Sequence, residues 1–142
     1  PHFFCAAYLI VRRSNEVLLI KRANTGWMDG FYTLPAGHVQ AGESIPQAMA
    51  REAKEEIGID ILEEDISVLS FAQRFNKKRE YLDAFCLAKK WNGTPANMEP
   101  DKCSDIGFFP LDKLPDNTID TVRQGLSNAL SGVPFVFFPR RP

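Results

Sequence analysis

One segment in the first half of the chain combines the signals of an α-helix with a concentration of acidic residues. Ser44 is a favourable N-cap, Pro46 suits a first helical turn, and Gly58 stands where a C-cap glycine belongs. The residues between are mostly good helix formers, so the sequence predicts a helix over residues 46–57. At about 100° per residue, its apolar side chains fall on one stripe that we expect to face a core. The stripe comprises Ile45, Met49, Ala53 and Ile57, with Ala50 beside it.

Three carboxylates lie together on the flank next to this stripe. Glu52, Glu55 and Glu56 are neighbours on a helical surface, and Glu43 enters from the loop just before the helix. Like charges so placed repel one another, although Arg51 offsets part of the repulsion. A solvated acidic face is one interpretation. A divalent cation is the other, because hard cations such as Mg²⁺ take carboxylate, water and phosphate oxygens as ligands.

The rest of the chain indicates strands, loops and one further helix. Aromatic and β-branched residues predict strands over residues 3–12, 16–22, 31–34, 66–76, 80–91 and 106–109. The first two are expected to form a hairpin, and residues 37–43 a loop. A second helix is predicted after residues 114–117. With no repeat or long linker, this order predicts a single α/β domain over residues 1–142, in which helices pack on a mixed sheet.

Composition narrows the classes of function. The 142 residues include 17 Lys and Arg against 18 Asp and Glu, a net charge of −1, so we expect no nucleic-acid partner. The longest apolar run, residues 3–11, is too short for a membrane-spanning helix, and we expect no membrane partner. Three widely spaced cysteines are expected to be reduced thiols, which favours a cytoplasmic location. We expect a monomer or a homodimer.

The acidic helix and the loop before it form a longer pattern. Gly37 is followed after five residues by Glu43 and, after seven more, by the run REAKEEIGI at residues 51–59. This resembles the signature of the Nudix hydrolases, G-x5-E-x7-R-E-U-x-E-E-x-G-U, in which U is a bulky aliphatic residue. Every charged and glycine position matches, and Ala53 is the one departure. Because Ala53 belongs to the apolar stripe, the departure concerns packing. The resemblance implies an α/β/α sandwich with a mixed β-sheet between helices.

The resemblance also implies roles for the matching residues. Arg51 matches an arginine that braces this segment through carboxylates, including Glu43, and the carbonyl of Gly37 matches a metal ligand. Members of the family hydrolyse nucleoside diphosphates linked to another moiety, using a metal-activated water that attacks phosphorus. We therefore predict Mg²⁺ as the cofactor, with Mn²⁺ as a substitute. The metal-binding glutamates of the family match Glu52, Glu55 and Glu56.

A second stretch resembles one branch of that family. Trp91, Gly93 and Pro95, followed by Glu99, are similar to a loop of the MutT-type nucleoside triphosphate pyrophosphatases. Glu99 matches a glutamate that there approaches the metals from outside the helix. A surface carboxylate is the alternative interpretation of Glu99.

The same branch suggests residues that contact the substrate. Arg22 matches a phosphate-binding arginine, or is a solvated cation at a strand end. Asn117 lies near a purine-reading asparagine, or is the N-cap of the second helix. Phe75 and Tyr81 are candidates for stacking on a base, although most aromatic residues of this chain must be core.

Together these features predict Mg²⁺-dependent hydrolysis of a nucleoside triphosphate, canonical or oxidised, to a nucleoside monophosphate and pyrophosphate. The alternatives are hydrolysis of another diphosphate, such as a nucleotide sugar or a prenyl diphosphate, and nucleotide sensing without turnover. The intact set of glutamates disfavours a sensor. The proline that marks ADP-ribose hydrolases downstream of the acidic helix is absent.

Overall fold

The computed structural model describes residues 2–140, so residues 1, 141 and 142 of the predicted domain lie outside it. Its helices are α1 (Ile45–Ile57) and α2 (Asp120–Leu130), and a short 3-10 turn spans Glu63–Asp65. Its strands are β1 (Phe3–Ile10), β2 (Arg12–Arg13), β3 (Glu16–Arg22), β4 (Tyr32–Thr33), β5 (Ala36–His38), β6 (Ile66–Asn76), β7 (Arg79–Ala88), β8 (Cys103–Pro110) and β9 (Phe135–Phe137).

The strands form two sheets. The larger is mixed, with the order β5-β1-β7-β6-β9, and β1 runs parallel to β7. In the smaller sheet, β3 pairs with β2, β4 and β8. The predicted hairpin forms only at its tip, where Arg12–Arg13 pairs antiparallel with the start of β3, whereas β1 itself lies in the other sheet. The last five residues of β1 are all buried, which suits a central strand covered on both faces.

The two helices cover opposite faces of the larger sheet. Met49 of α1 packs in one hydrophobic cluster with Leu9 of β1. Leu126 of α2 packs in a second cluster with Ile10, the next residue of the same strand. Successive residues of a strand point to opposite faces, so the sheet lies between the helices. The predicted α/β/α arrangement is confirmed.

Both ends of α1 follow the sequence, whereas the start of α2 does not. Ser44 caps α1 in a reciprocal capping box with Gln47, and Gly58 ends it in the left-handed region at φ 72°. Helix α2 begins only at Asp120, after Ile119, which provides no side-chain cap. The predicted capping role of Asn117 is wrong, because its amide donates to the carbonyl of Gly30 at 2.8 Å.

Three smaller differences from the predicted elements occur. The predicted loop over 37–43 begins within a strand, because β5 pairs with β1. Strand β8 begins at Cys103, earlier than expected, through pairing with β3. Residues 89–91 lie outside β7. Within the described residues, neither helix is long and apolar enough to cross a membrane, and the three cysteines are free thiols.

Candidate active site

A cleft of about 720 Å³ opens where the two sheets, α1 and the loop before β8 meet. The residues that line it are distant in sequence and range from β1 to the loop at residue 102. Seven of the sequence-predicted site residues line it: Arg22, Gly37, Glu52, Glu55, Glu56, Tyr81 and Glu99.

Arg51 joins the acidic residues at one side of this cleft. Its guanidinium contacts Glu43 through two bonds, Nε to Oε2 at 2.8 Å and Nη2 to Oε1 at 3.0 Å. Nη1 donates to Glu52 Oε1 at 2.8 Å, and Nη2 also donates to the carbonyl of His38 at 3.2 Å. Bonding to the guanidinium lowers the pKa of Glu43 to about 2. Neither Arg51 nor Glu43 lines the cleft, so both are positioning residues that fix Glu52 and β5.

Glu56 is in the opposite electrostatic situation. Its carboxyl is buried against the start of β5, where Oε1 accepts a hydrogen bond from the backbone N–H of Ala36 at 3.2 Å. Burial and, to a smaller extent, the neighbouring Glu52 and Glu99 together raise the pKa of Glu56 to about 9. Near neutral pH the Glu56 carboxyl therefore carries a proton when no cation is bound.

Gly37 allows this close arrangement. A Cβ placed on Gly37 would lie 2.2 Å from both Cδ and Oε1 of Glu52. A side chain at residue 37 would thus occupy the space of the Glu52 carboxylate. Glycine is required here because a larger residue would clash with Glu52. A left-handed backbone is not the reason, since Gly37 is not among the positive-φ residues of the described chain.

The loop before β8 brings Glu99 to the same place. The N–H of Ala96 donates to the carbonyl of Ile57 at 2.9 Å, and that of Met98 donates to the carbonyl of Glu56 at 3.1 Å. These bonds satisfy carbonyls that the end of α1 leaves free. Asn97 fixes the loop further, since its Oδ1 accepts from the N–H of Glu99 at 3.1 Å. Glu99 is thereby held beside the helix that carries Glu56.

The donors of this region fit a hard divalent cation. Glu52, Glu56 and Glu99 offer carboxylate oxygens in one cleft. Without a cation, a proton on Glu56 reduces the repulsion among these carboxylates, and a bound divalent cation would neutralise them instead. Among residues 2–140, no three acidic, imidazole or thiol side chains form a complete ligand cluster as they stand. Glu55 is exposed, and its Oε2 lies 3.5 Å from Nη1 of Arg51. The residues that would hold the cation are Glu52, Glu56 and Glu99, with Glu55 at the rim.

The opposite wall carries cationic and aromatic groups. Arg22 Nε donates to the carbonyl of Trp27 at 2.7 Å and Nη2 donates to Thr25 Oγ1 at 2.9 Å. The guanidinium carbon also lies 4.9 Å from the centre of the Trp27 ring. Tyr81 lines the cleft beyond, with its hydroxyl 3.3 Å from His38 Nε2. One cleft thus combines an acidic end with a wall that suits phosphate oxygens and flat rings.

Two predicted substrate contacts are not brought to the cleft. Phe75 lies between two residues of β6 that line it, so strand alternation turns Phe75 to the other face. There its ring meets Phe137 at 6.1 Å between centroids. Asn117 is also outside the cleft lining, and its bond to Gly30 instead holds the loop that carries Trp27.

Sequence reasoning missed a buried polar group at the cleft floor. Arg74 of β6 and Asp83 of β7 form an ion pair, and both are almost fully buried. The hydroxyl of Tyr8 accepts from Arg74 Nη2 at 3.4 Å. The available signal was one charged residue well inside each strand, Arg74 in β6 and Asp83 in β7. Trp27 was also missed, because nothing in its loop sequence indicates that the ring faces the site.

Comparison with known proteins agrees with this geometry. A family model described as NUDIX domain matches residues 3–129. A MutT NUDIX hydrolase from Burkholderia pseudomallei has a similar structure, with a TM-score of 0.81 and 27% identity, covering 94% of this chain and 99% of that one.

Three curated relatives carry different names. NAD-capped RNA hydrolase NudC of Vibrio atlanticus is 32% identical, over 87% of this chain and 48% of that protein. ADP-ribose pyrophosphatase of Methanocaldococcus jannaschii is 32% identical, over 78% and 64%. The 8-oxo-dGTP diphosphatase of Proteus vulgaris is 38% identical, over 61% and 75%. The chain therefore spans only 48% and 64% of the length of the first two relatives.

Proposed function

The chain belongs to the NUDIX domain family, and from this premise we propose that it is a Mg²⁺-dependent pyrophosphohydrolase of nucleoside triphosphates. In the proposed reaction a water oxygen bonds to phosphorus while a bridging phosphorus–oxygen bond breaks. The products are a nucleoside monophosphate and pyrophosphate, and the proton of the water passes to solvent. The name of the 8-oxo-dGTP diphosphatase relative supports a triphosphate as substrate.

The observation that carries this proposal is the convergence of Glu52, Glu56 and Glu99 in one cleft that also contains Arg22. The raised pKa of Glu56 agrees with it, because holding this carboxyl without a cation at neutral pH costs stability. Within the described residues, the guanidinium of Arg51 is bonded to Glu43 and Glu52 and not to Glu56. An acidic end that binds a cation, opposite a wall with Arg22, suits a chain of phosphates.

The residues of the cleft have different roles in the proposed reaction. Arg51 positions Glu52, and the N–H of Ala36 positions Glu56. A bound divalent cation supplies charge neutralisation at phosphate oxygens and lowers the pKa of a bound water. Arg22 faces the cleft as a donor for phosphate oxygens, and its position is fixed by the carbonyl of Trp27. The Trp27 and Tyr81 rings offer flat apolar surface to a base.

A second candidate is a diphosphate that links a nucleoside to another group. The named activities of the NudC and ADP-ribose pyrophosphatase relatives favour it. Nucleotide sugars and prenyl diphosphates belong to the same chemical class of substrate.

The test is a Mg²⁺-supported hydrolysis screen with product identification by chromatography. The substrates are nucleoside triphosphates, 8-oxo-dGTP, ADP-ribose, NADH, a nucleotide sugar and a prenyl diphosphate. We expect pyrophosphate and a nucleoside monophosphate from triphosphates, and Glu56→Gln should lower turnover by roughly 100-fold or more. Glu64→Gln is the matched control, since Glu64 is exposed on the 3-10 turn outside the cleft.

Three results would contradict the proposal. The first is turnover that persists in excess chelator. The second is equal turnover in the Glu56→Gln and Glu64→Gln variants. The third is cleavage of the linked diphosphates with none of the triphosphates, which would replace the first candidate by the second.

A further inference from the structure

We propose that Arg74 is a specificity-determining residue whose Nη1 group donates a hydrogen bond to a carbonyl oxygen of the nucleobase. The cleft would thereby favour keto bases over their analogues that lack the oxygen. This inference rests on the function proposed above, because it assumes that the substrate is a nucleotide. It assigns a role to a buried ion pair that the hydrolytic site does not use.

Arg74 is held in one orientation. It is 6% exposed, its Nε bonds Asp83, and its Nη2 donates to the hydroxyl of Tyr8 at 3.4 Å. The guanidinium carbon lies 4.3 Å from the centre of the Tyr81 ring and 5.6 Å from that of Trp27. A planar group held by an ion pair and packed near two rings loses little entropy when it binds a further acceptor.

The hydrogen-bonding capacity of this guanidinium is only partly used. An arginine carries five N–H donors, and among the described residues only Nε and Nη2 of Arg74 have partners. Asp83 Oδ1 is the single fully enclosed side-chain nitrogen or oxygen atom without a partner in residues 2–140. Nη1 also has no partner there but is not fully enclosed, and Arg74 lines the cleft. In the described part of the chain, Nη1 therefore is an unpartnered donor with some exposed surface on a residue that lines the cleft.

A purely structural role explains this arrangement poorly. A buried ion pair is usually no more stabilising than apolar residues of similar size, because both charges lose their hydration. The pair here does not even use the two parallel bonds that an arginine and a carboxylate can form. What the arrangement does provide is a rigid donor at the cleft surface.

Charge distinguishes a carbonyl acceptor from a phosphate. The carboxylate of Asp83 already neutralises the charge of Arg74 at contact distance, so the pair exerts little net attraction on an anion. The directed N–H donor remains, and it suits a neutral oxygen. Arg22, whose partners are a carbonyl and a hydroxyl, keeps its full charge for phosphate.

The position of Arg74 relative to the acidic end of the cleft also favours the base as its partner. Glu56 contacts β5, and three strand spacings separate β5 from β6 in the order β5-β1-β7-β6. At about 4.8 Å each, these place the two strands roughly 14 Å apart, and the Arg74 side chain reaches back toward β7. This separation suits a nucleoside that extends from a diphosphate at the acidic end. The rings of Trp27 and Tyr81 beside Arg74 suit a flat base.

The test compares substrates that differ in one carbonyl group. GTP is set against 2-aminopurine riboside triphosphate, UTP against CTP, and ribose 5-triphosphate serves as a substrate without a base. We expect the wild-type protein to favour the keto member of at least one pair by about tenfold in kcat/KM. In Arg74→Met/Asp83→Asn that ratio should fall to about one, mainly through KM, while kcat/KM for ribose 5-triphosphate stays within roughly twofold.

Two further variants make the result independent of folding. Arg74→Lys keeps a cation for Asp83 but loses the planar fork, so it should lose the preference even if the double variant is unstable. Arg79→Met removes another cation of the cleft lining, 4.7 Å from the Phe4 ring, and should keep the preference. A merely structural Arg74 would lower the rates of all substrates together, including ribose 5-triphosphate.

Binding separates this inference from the proposed function. The affinities of GMP, 2-aminopurine riboside monophosphate, UMP and CMP are measured by calorimetry in chelator, where no hydrolysis is needed. If no triphosphate is cleaved, the proposed function fails, but a keto preference in binding that Arg74→Lys removes still supports the role of Arg74. A wild-type protein without such a preference in binding or in kcat/KM, or an Arg74→Lys variant that retains it, overturns the inference.

Discussion

Replacement of Glu56 by Gln should stabilise the metal-free protein while it removes activity. The glutamine amide has the shape of a protonated carboxyl, so Oε1 can still accept from Ala36 and Nε2 can donate toward Glu52. Wild-type Glu56 must bind a proton on folding, because its pKa is about 9 in the folded protein against an ordinary value of 4.5. Between that ordinary value and neutral pH lie roughly 2.5 pH units, which correspond to about 3 kcal/mol.

The sign of this effect depends on pH in a defined way. Below the ordinary pKa both the folded and the unfolded chains hold the proton, and the cost vanishes. As pH rises from 4.5 toward 9 the unfolded chain releases the proton first, so the free energy of unfolding of the metal-free protein falls. Glutamine does not titrate, and the advantage of the variant should therefore grow with pH across this window.

The assay is urea unfolding in excess chelator at about pH 5 and about pH 8. Glu55→Gln is the matched control, since Glu55 lies one residue away but has 54% of its side chain exposed. We expect the control to stay within about 0.5 kcal/mol of wild type at both values. Equal stabilities of wild type and Glu56→Gln at about pH 8, or a difference that does not change with pH, would refute the reasoning.

Two further predictions concern packing and loop position. Gly125→Ala should destabilise the fold by about 3 kcal/mol in urea unfolding, because the added Cβ would lie 2.1 Å from Cζ of Phe85. This clash outweighs the gain of about 1 kcal/mol in helix propensity. Ser127→Ala on the same helix is the control, and an equal effect of both substitutions would contradict the clash. Asn117→Asp should cost about 1 kcal/mol and raise KM, because a carboxylate cannot donate to the Gly30 carbonyl that holds the Trp27 loop; unchanged stability and KM would show that the bond is dispensable.

Helix α1 was predictable because its determinants are local. The capping box of Ser44, the left-handed Gly58 and the stripe of Met49, Ala53 and Ile57 all lie within one short segment. The spacing of Gly37, Glu43 and Arg51 indicated the family for the same reason. The position of Glu99 required the resemblance, since the hydrogen bonds that dock its loop on α1 are between backbone atoms.

The remaining features depend on pairings between distant strands. The separation of β1 from β3 follows from the insertion of β1 between β5 and β7, which sequence neighbours do not reveal. Phe75 faces away from the cleft because of the register and alternation of β6, and a shift of one residue would reverse its direction. The pairing of Arg74 with Asp83 likewise required the register of β6 on β7.

Arg51 explains why carboxylates so close in sequence have opposite electrostatic properties. Its guanidinium reaches Glu43 and Glu52 but is not bonded to Glu56 in the described structure. The pKa of Glu43 therefore falls to about 2, whereas that of the buried Glu56 rises to about 9. A second arginine bonded to Glu56 would stabilise the fold, but it would also neutralise the negative charge that attracts a cation. The single guanidinium thus fixes the geometry of the segment through Glu43 and, under the proposed function, leaves the Glu56 carboxyl available to a cation.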